Sequence, residues 1–174
     1  MNFNFELDLL ATADWPKAIS ASPNINVLLR AARLATTLEE VEAGDDDIDS
    51  ELHYLFTRFS RLLSWMPDPQ VGRPTYTRHV WDLRALRSVA SPTFQLDLKQ
   101  VSGLDKDGGA RWRAALYDPR HAQNLVLHEH ADVFGSAWSP NLALARLLIA
   151  GCVAGVIQKT FQAHRAPAAT RRVA

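Results

Sequence analysis

The 174-residue chain holds one cysteine, Cys152, so no disulfide can form within it, which suits a reducing compartment. Net charge is also missing: 19 basic residues face 19 acidic ones. Arg165, Arg171 and Arg172 lie in the last ten residues, and without them 16 bases oppose 19 acids. A slightly acidic body is a poor polyanion binder, which argues against a nucleic-acid partner. Lysine is scarce beside arginine, four against fifteen, as expected of coding in a GC-rich genome. There is no GxSxG, no phosphate-binding Walker loop, no GxGxxG, no HExxH and no paired CxxC. The N-terminal MNFNFELDLL has no basic segment and carries Glu6 and Asp8, unlike a secretory signal, so a cytoplasmic location is expected. Leu142–Ile157 is apolar but for Arg146, and its sixteen residues fall short of the ~20 of a membrane span. No membrane association is therefore expected.

What is present is ample apolar sequence, 47% of the chain, enough for a core. Phe3, Phe5, Leu7 and Leu9 alternate with polar residues, the period of a half-buried strand near 2–10. Ser22 and Pro23 then open a helix near 23–41, with Ile25, Leu28, Leu29, Ala32 and Ala35 as its stripe and Arg30 and Arg33 outside. A second helix near 50–65, capped by Asp49 or Ser50, buries Leu52, Leu55, Phe56, Phe59, Leu62 and Leu63. MPDPQVGRP interrupts the pattern and is the best linker candidate. A third helix is expected near 77–89. Strands near 93–101 and 110–117 form a hairpin around SGLDKDGG, and a further strand is expected near 124–131. A nearly all-apolar helix near 140–160 closes the chain. The fold class is α+β: a small antiparallel sheet covered by helices. Residues 1–66 form one part, 73–161 a second and 162–174 a disordered tail, and the two parts can pack as one domain.

The two parts echo each other. FELDL at 5–9, Trp15, Ser22-Pro23-Asn24 and an aliphatic stretch have counterparts in FQLDL at 94–98, Trp112, Ser139-Pro140-Asn141 and a second aliphatic stretch. Either a module is duplicated, making 1–66 a degenerate half-repeat, or strand alternation and helix-capping chemistry recur independently.

The second part carries a resemblance. GRPTYTRHVWDLRAL, FQLDL, WRAAL and SPNLALARLLIAG, within about 73–153, are similar to the phage ABA-sandwich domains, small phage-encoded proteins. Thr75, Tyr76 and Thr77 stand where that family has a Tyr-Ser-Thr-Asp-like helix start, with no Asp following. The resemblance implies helix–sheet–helix packing and a phage or mobile-element origin, and it brings no catalytic residues.

Three groups of residues carry candidate functions. His128 and His130 would point the same way on a strand and could share Zn or Mn, which would activate water in a hydrolase. The alternative is a pair of solvent-facing histidines and no cofactor. The stretch 39–51 holds eight acids in thirteen residues. Asp45, Asp46, Asp47, Asp49 and Glu51 could imitate a phosphate backbone and bind a basic groove on a partner, or simply form a solvated loop and helix start. Gly151 and Gly155, with Leu148, could form the oligomer interface of a self-associating protein. Otherwise that helix packs on its own sheet and helices. Arg111 and Arg113 could grip phosphate or form local salt bridges, and Cys152 reads as a core residue. The leading functional expectation is a phage or mobile-element protein in the bacterial host cytosol. It would bind a host bacterial protein and inhibit a defence system or nuclease. A metal-dependent hydrolase and a structural homo-oligomer are the alternatives.

Overall fold

The computed structural model describes residues 22–69, 75–79, 95–102, 110–117 and 133–165. In chain order these form α1 (Ile25–Glu40), α2 (Asp46–Leu62), β1 (Gln95–Ser102), β2 (Ala110–Tyr117), β3 (Val133–Ala137) and α3 (Pro140–Arg165). The fold class is α+β. Of the expected elements, the strands near 2–10 and 124–131 and residues 80–89 of the expected third helix lie outside the described residues.

The sheet is antiparallel in the order β1-β2-β3. Leu98 pairs with Ala114 and Gln100 with Trp112; Trp112 pairs in turn with Ala137. Strand alternation puts these residues on one face. Ala114 and Ala137 are buried there, and Leu96, Leu98 and Trp112 pack against the core. The third strand, VFGSA, begins just past the segment where one was expected. Val133 and Phe134 favour a strand, Gly135 weakens it, and pairing with β2 carries it through Ala137.

α3 is the centre of the molecule. Ser139 caps it as the sequence suggests: its hydroxyl accepts the Leu142 N–H at 3.2 Å, with Pro140 at the first helical position. The helix continues through Arg165, so residues 162–165 of the expected tail are helical. Leu142 to Ala150 are all buried, packed against α1, β2 and β3. By length and composition the window Pro140–Ile157 could cross a membrane, and 72% of it is buried inside the fold. Residues on both sides of the linker candidate join one core, which includes Leu28, Leu38, Phe56 and Phe59 with Leu147, Ile149 and Val153.

Two helix starts differ from expectation. α1 begins at Ile25 rather than Pro23. The Ser22 hydroxyl accepts the Asn24 N–H at 3.3 Å, and the Asn24 side chain makes no cap bond. Ser-Pro-Asn therefore caps only one of the two echoed helices in the expected way. The buried face of α1 is also wider than the expected stripe, taking in Val27, Ala31, Leu34 and Leu38. α2 begins four residues before its expected start. Asp45 is its cap and accepts the Ile48 N–H at 2.8 Å, so Asp46, Asp47 and Asp49 occupy the first turn, where the helix dipole favours carboxylates.

Candidate functional site

The acidic stretch divides once it is folded. Asp45 is spent on the cap. Asp46 pairs with Arg78, and Glu51 pairs with both guanidinium nitrogens it can reach on Arg30. The bond from Glu51 holds Arg30 still more firmly in its charged form. Asp49 is fully buried, which corrects its assignment to an exposed acidic surface. On the fourth residue of the helix its side chain turns inward, where its Oδ1 accepts the Thr77 N–H at 2.7 Å.

That contact is part of a clamp. Residues 75–79 form a tight turn, closed by the Arg78 and His79 N–H groups donating to the Thr75 carbonyl. Those first residues of the expected 77–89 helix are thus held as a turn between the starts of two helices. From α2, Asp49 takes the Thr77 N–H and His53 Nδ1 lies 3.0 Å from the Tyr76 hydroxyl. From α3, Asn141 Nδ2 donates to the Thr77 carbonyl at 3.0 Å. The Tyr76 ring meets Phe56 edge-on at 5.3 Å between centroids. Gly44 lets the loop before α2 approach: a Cβ there would overlap the Thr77 side chain. Three buried oxygens in this cluster lack a protein hydrogen bond: Asp49 Oδ2, Thr77 Oγ1 and Asn141 Oδ1. One carboxylate, one hydroxyl and one amide can accept from a small donor. Among the described residues no group of three or more His, Cys, Asp or Glu stands together to hold a metal ion. The clamp therefore reads as a structural joint that seats the 75–79 turn.

A second polar joint lies at the C-terminal end of α1. Arg146, the lone charge in the apolar run, is buried and donates to the Ala35 carbonyl at 3.1 Å and to Glu39 Oε2 at 2.5 Å. Arg111 donates to the Glu39 carbonyl at 3.2 Å, and its guanidinium covers the Trp138 ring at 4.5 Å. Arg111 is thus engaged inside the molecule, as a strand arginine with local partners. This favourable approach of cations to a helix C-terminus ties α1 to β2 and α3.

What faces solvent on α2 is a different set. With a 100° step per residue, Asp47, Ser50, Tyr54, Arg58 and Arg61 share one narrow stripe, and all are exposed. Asp47, Arg58 and Arg61 have no ion-pair partner among the described residues, in contrast to Asp46, Glu51 and Glu39. Tyr54 is 40% exposed, and the Arg30 guanidinium lies 4.2 Å from its ring centroid. Arg30 is itself paired with Glu51, so one face of the aromatic ring carries a cation supplied by the chain. Reading the acids alone missed this ridge. Its signal was the seven-residue spacing from Asp47 to Tyr54 to Arg61.

The expected oligomer interface is largely covered by the chain itself. Leu148 is buried, and a Cβ on Gly155 would lie 3.1 Å from Leu63 and 3.4 Å from Trp65. The close approach that Gly155 permits is made within the monomer. At Gly151 a Cβ would meet nothing within 4 Å. A cleft of about 270 Å³ lies between the start of α1 and the end of α3, lined by Pro23, Asn24, Leu62, Val156 and Thr160. Lys159 at its wall is turned onto the Leu62 carbonyl at 2.8 Å. Burial pushes the Cys152 thiol far above its ordinary range, and its sulfur lies 3.9 Å from that of Met66. His128 and His130 lie outside the described residues. Comparison with protein-family models, curated proteins and solved structures finds no match to this chain.

Proposed function

We propose that the protein acts by binding another protein, and that the outer ridge of α2 is the face it uses. The observation that carries this reading is the set of exposed charges Asp47, Arg58 and Arg61, without an ion-pair partner among the described residues, around the exposed Tyr54. Tyrosine and arginine dominate the energetics of protein interfaces. The mixed signs favour a protein over a polyanion, and α2 offers the site as a rigid element seated by the clamp. The burial of α3 supports its role as a core helix, in keeping with a cytosolic protein.

The setting we propose rests on the phage-like pattern of residues 73–153: a phage or mobile-element protein that engages a bacterial host protein. Inhibition of a defence system or nuclease is its specific form. The acidic share of the site narrows from five residues to Asp47 with the flanking Asp46 and Glu51. The alternative of a hydrolase built on His128 and His130 with Zn or Mn rests on residues outside the described ones.

The test is quantitative capture from a bacterial lysate by wild type and by the variants Asp47→Arg, Tyr54→Ala and Arg61→Asp. A stoichiometric partner that all three variants lose, and that salt weakens, supports the ridge. Capture that ignores all three removes it. Expression in a strain carrying a nuclease-based defence should raise the plating of a restricted phage; unchanged plating across such strains ends the inhibitor form.

A further inference from the structure

We infer that the α2 ridge is self-complementary and that its occupant is a second copy of this chain, docked antiparallel about a two-fold axis through Tyr54. The inference rests on the reading of this ridge as a binding face and names what fills it.

The argument is one of spacing. Asp47 and Arg61 each lie seven positions from Tyr54, in opposite directions along α2. Seven residues are two turns, about 10.5 Å of rise, and return to within about 20° of the same direction. Laying a second α2 antiparallel on the first, with the two Tyr54 rings at the axis, sets each Asp47 opposite the other copy's Arg61. Two-fold symmetry makes this pair twice. Arg58, four positions after Tyr54, falls opposite Ser50 and Glu51, three to four positions before it. Asp47 and Arg61, which have no ion-pair partner among the described residues, are thus matched across the axis, while Arg58 meets the uncharged Ser50 and a Glu51 already held by Arg30. Asp46 with Arg78 and Glu39 with Arg146 are paired within the chain, and the exposed Arg33 and Glu40 of α1 have no ion-pair partner among the described residues and take no part in the seam. A parallel arrangement would instead stack Asp47 on Asp47 and Arg61 on Arg61, so charge selects the antiparallel one.

The seam is one helix wide and α2 has 17 residues, about 25 Å of length. It buries less than a standard protein–protein interface, so the dimer should dissociate in roughly the micromolar range.

Sedimentation equilibrium of the full chain at about 1–200 µM tests this, since that range brackets a micromolar dissociation constant. The expected result is a reversible dimer of twice the 19.4 kDa chain mass. Asp47→Arg alone, or Arg61→Asp alone, should raise the dissociation constant on the order of 10-fold or more, because each replaces two attractions by two repulsions. The double variant Asp47→Arg/Arg61→Asp should return it to within about 3-fold of wild type, since the pair is restored with its signs exchanged. Both positions are exposed, so circular dichroism and the urea midpoint should stay near wild type and show that the fold is intact. A monomer throughout the range overturns the inference. So does a dimer indifferent to the single variants, or a double variant as weak as the singles. A monomer that nonetheless captures a bacterial protein through Asp47 and Arg61 overturns self-pairing and leaves the binding reading standing. A dimer that obeys the charge exchange and captures nothing does the reverse for the host partner.

Discussion

Arg146 on α3 and Glu39 on α1, 107 positions apart, meet at 2.5 Å, and the arginine side chain is only 5% exposed. A cation in an apolar helix is costly to bury unless it is paired and hydrogen-bonded, and here Glu39 and the Ala35 carbonyl do both. Glu39→Gln should therefore destabilise the fold by about 1.5–3 kcal/mol, the range for a hydrogen bond to a charged group, because Arg146 stays buried without its counter-charge. Glu39→Gln/Arg146→Met should recover most of that loss, since apolar replacement of a buried pair is often neutral or better. Urea denaturation of the two variants decides it. If the double variant is less stable than Glu39→Gln alone, the pair contributes net stability and this account of it fails.

The 75–79 clamp yields a second expectation. Asp49→Ala removes the acceptor of the buried Thr77 N–H and should cost about 1–3 kcal/mol. Asp49→Asn keeps an acceptor at that oxygen, so it should lie well above Ala in stability. Hydrogen exchange at the Thr77 amide gives the local readout: fast in Ala, protected in Asn. Equal urea midpoints and equal exchange in the two variants would show that Asp49 does not hold the turn.

The pattern of which residues were legible follows from how local their determinants are. Period and capping are short-range, so Ser139, the buried face of α2 and the alternation of Leu96, Leu98 and Ala114 could be read directly from the sequence. The start of α2 was misplaced because four aspartates all have capping chemistry, and only the geometry of the Ile48 N–H selects Asp45. β3 was missed because VFGSA is only five residues long and broken by Gly135, and its pairing with β2 is a long-range fact. Asp49 and Arg146 are charges that local rules send to solvent. Contacts with Thr77, with Ala35 and with the half-buried Glu39 bring them inside, and no single-chain pattern encodes those distances. At Gly155 the neighbours are the Leu63 and Trp65 side chains of the same chain, and the sequence alone does not say whether such a neighbour belongs to the same chain or to a second molecule.

The two glycines of α3 should consequently behave differently. Gly151→Ala places a methyl in open space and relieves the helix penalty of glycine, so it should stabilise by about 0.5–1 kcal/mol. Gly155→Ala gains the same helix preference but presses on Leu63 at 3.1 Å, and Gly155→Leu should lose about 1–3 kcal/mol by overpacking. Thermal melts rank the three. Sedimentation of Gly151→Ala should match wild type. A dimer weakened by that single methyl would instead place a seam on α3.

Cys152 offers a native probe of the core. Its thiol is fully buried beside Met66, and burial raises its ionisation far above the ordinary range of about 8.5. The unfolded chain loses this proton as pH climbs past that range while the folded chain keeps it. Above about pH 8.5 the unfolded state thus binds fewer protons, and stability must fall with rising pH, by up to about 1.4 kcal/mol per unit. Below that range the contribution is constant. Two measurements check this. A thiol reagent at pH 8 should label the native protein only at the rate at which it opens, and label it at once in denaturant. Urea midpoints between about pH 8 and 10, a window spanning the ordinary thiol range, should decline more steeply for wild type than for Cys152→Ala. Parallel slopes, or prompt labelling of the native state, would mean that the thiol is reachable by water and that α3 is not the sealed core helix described here.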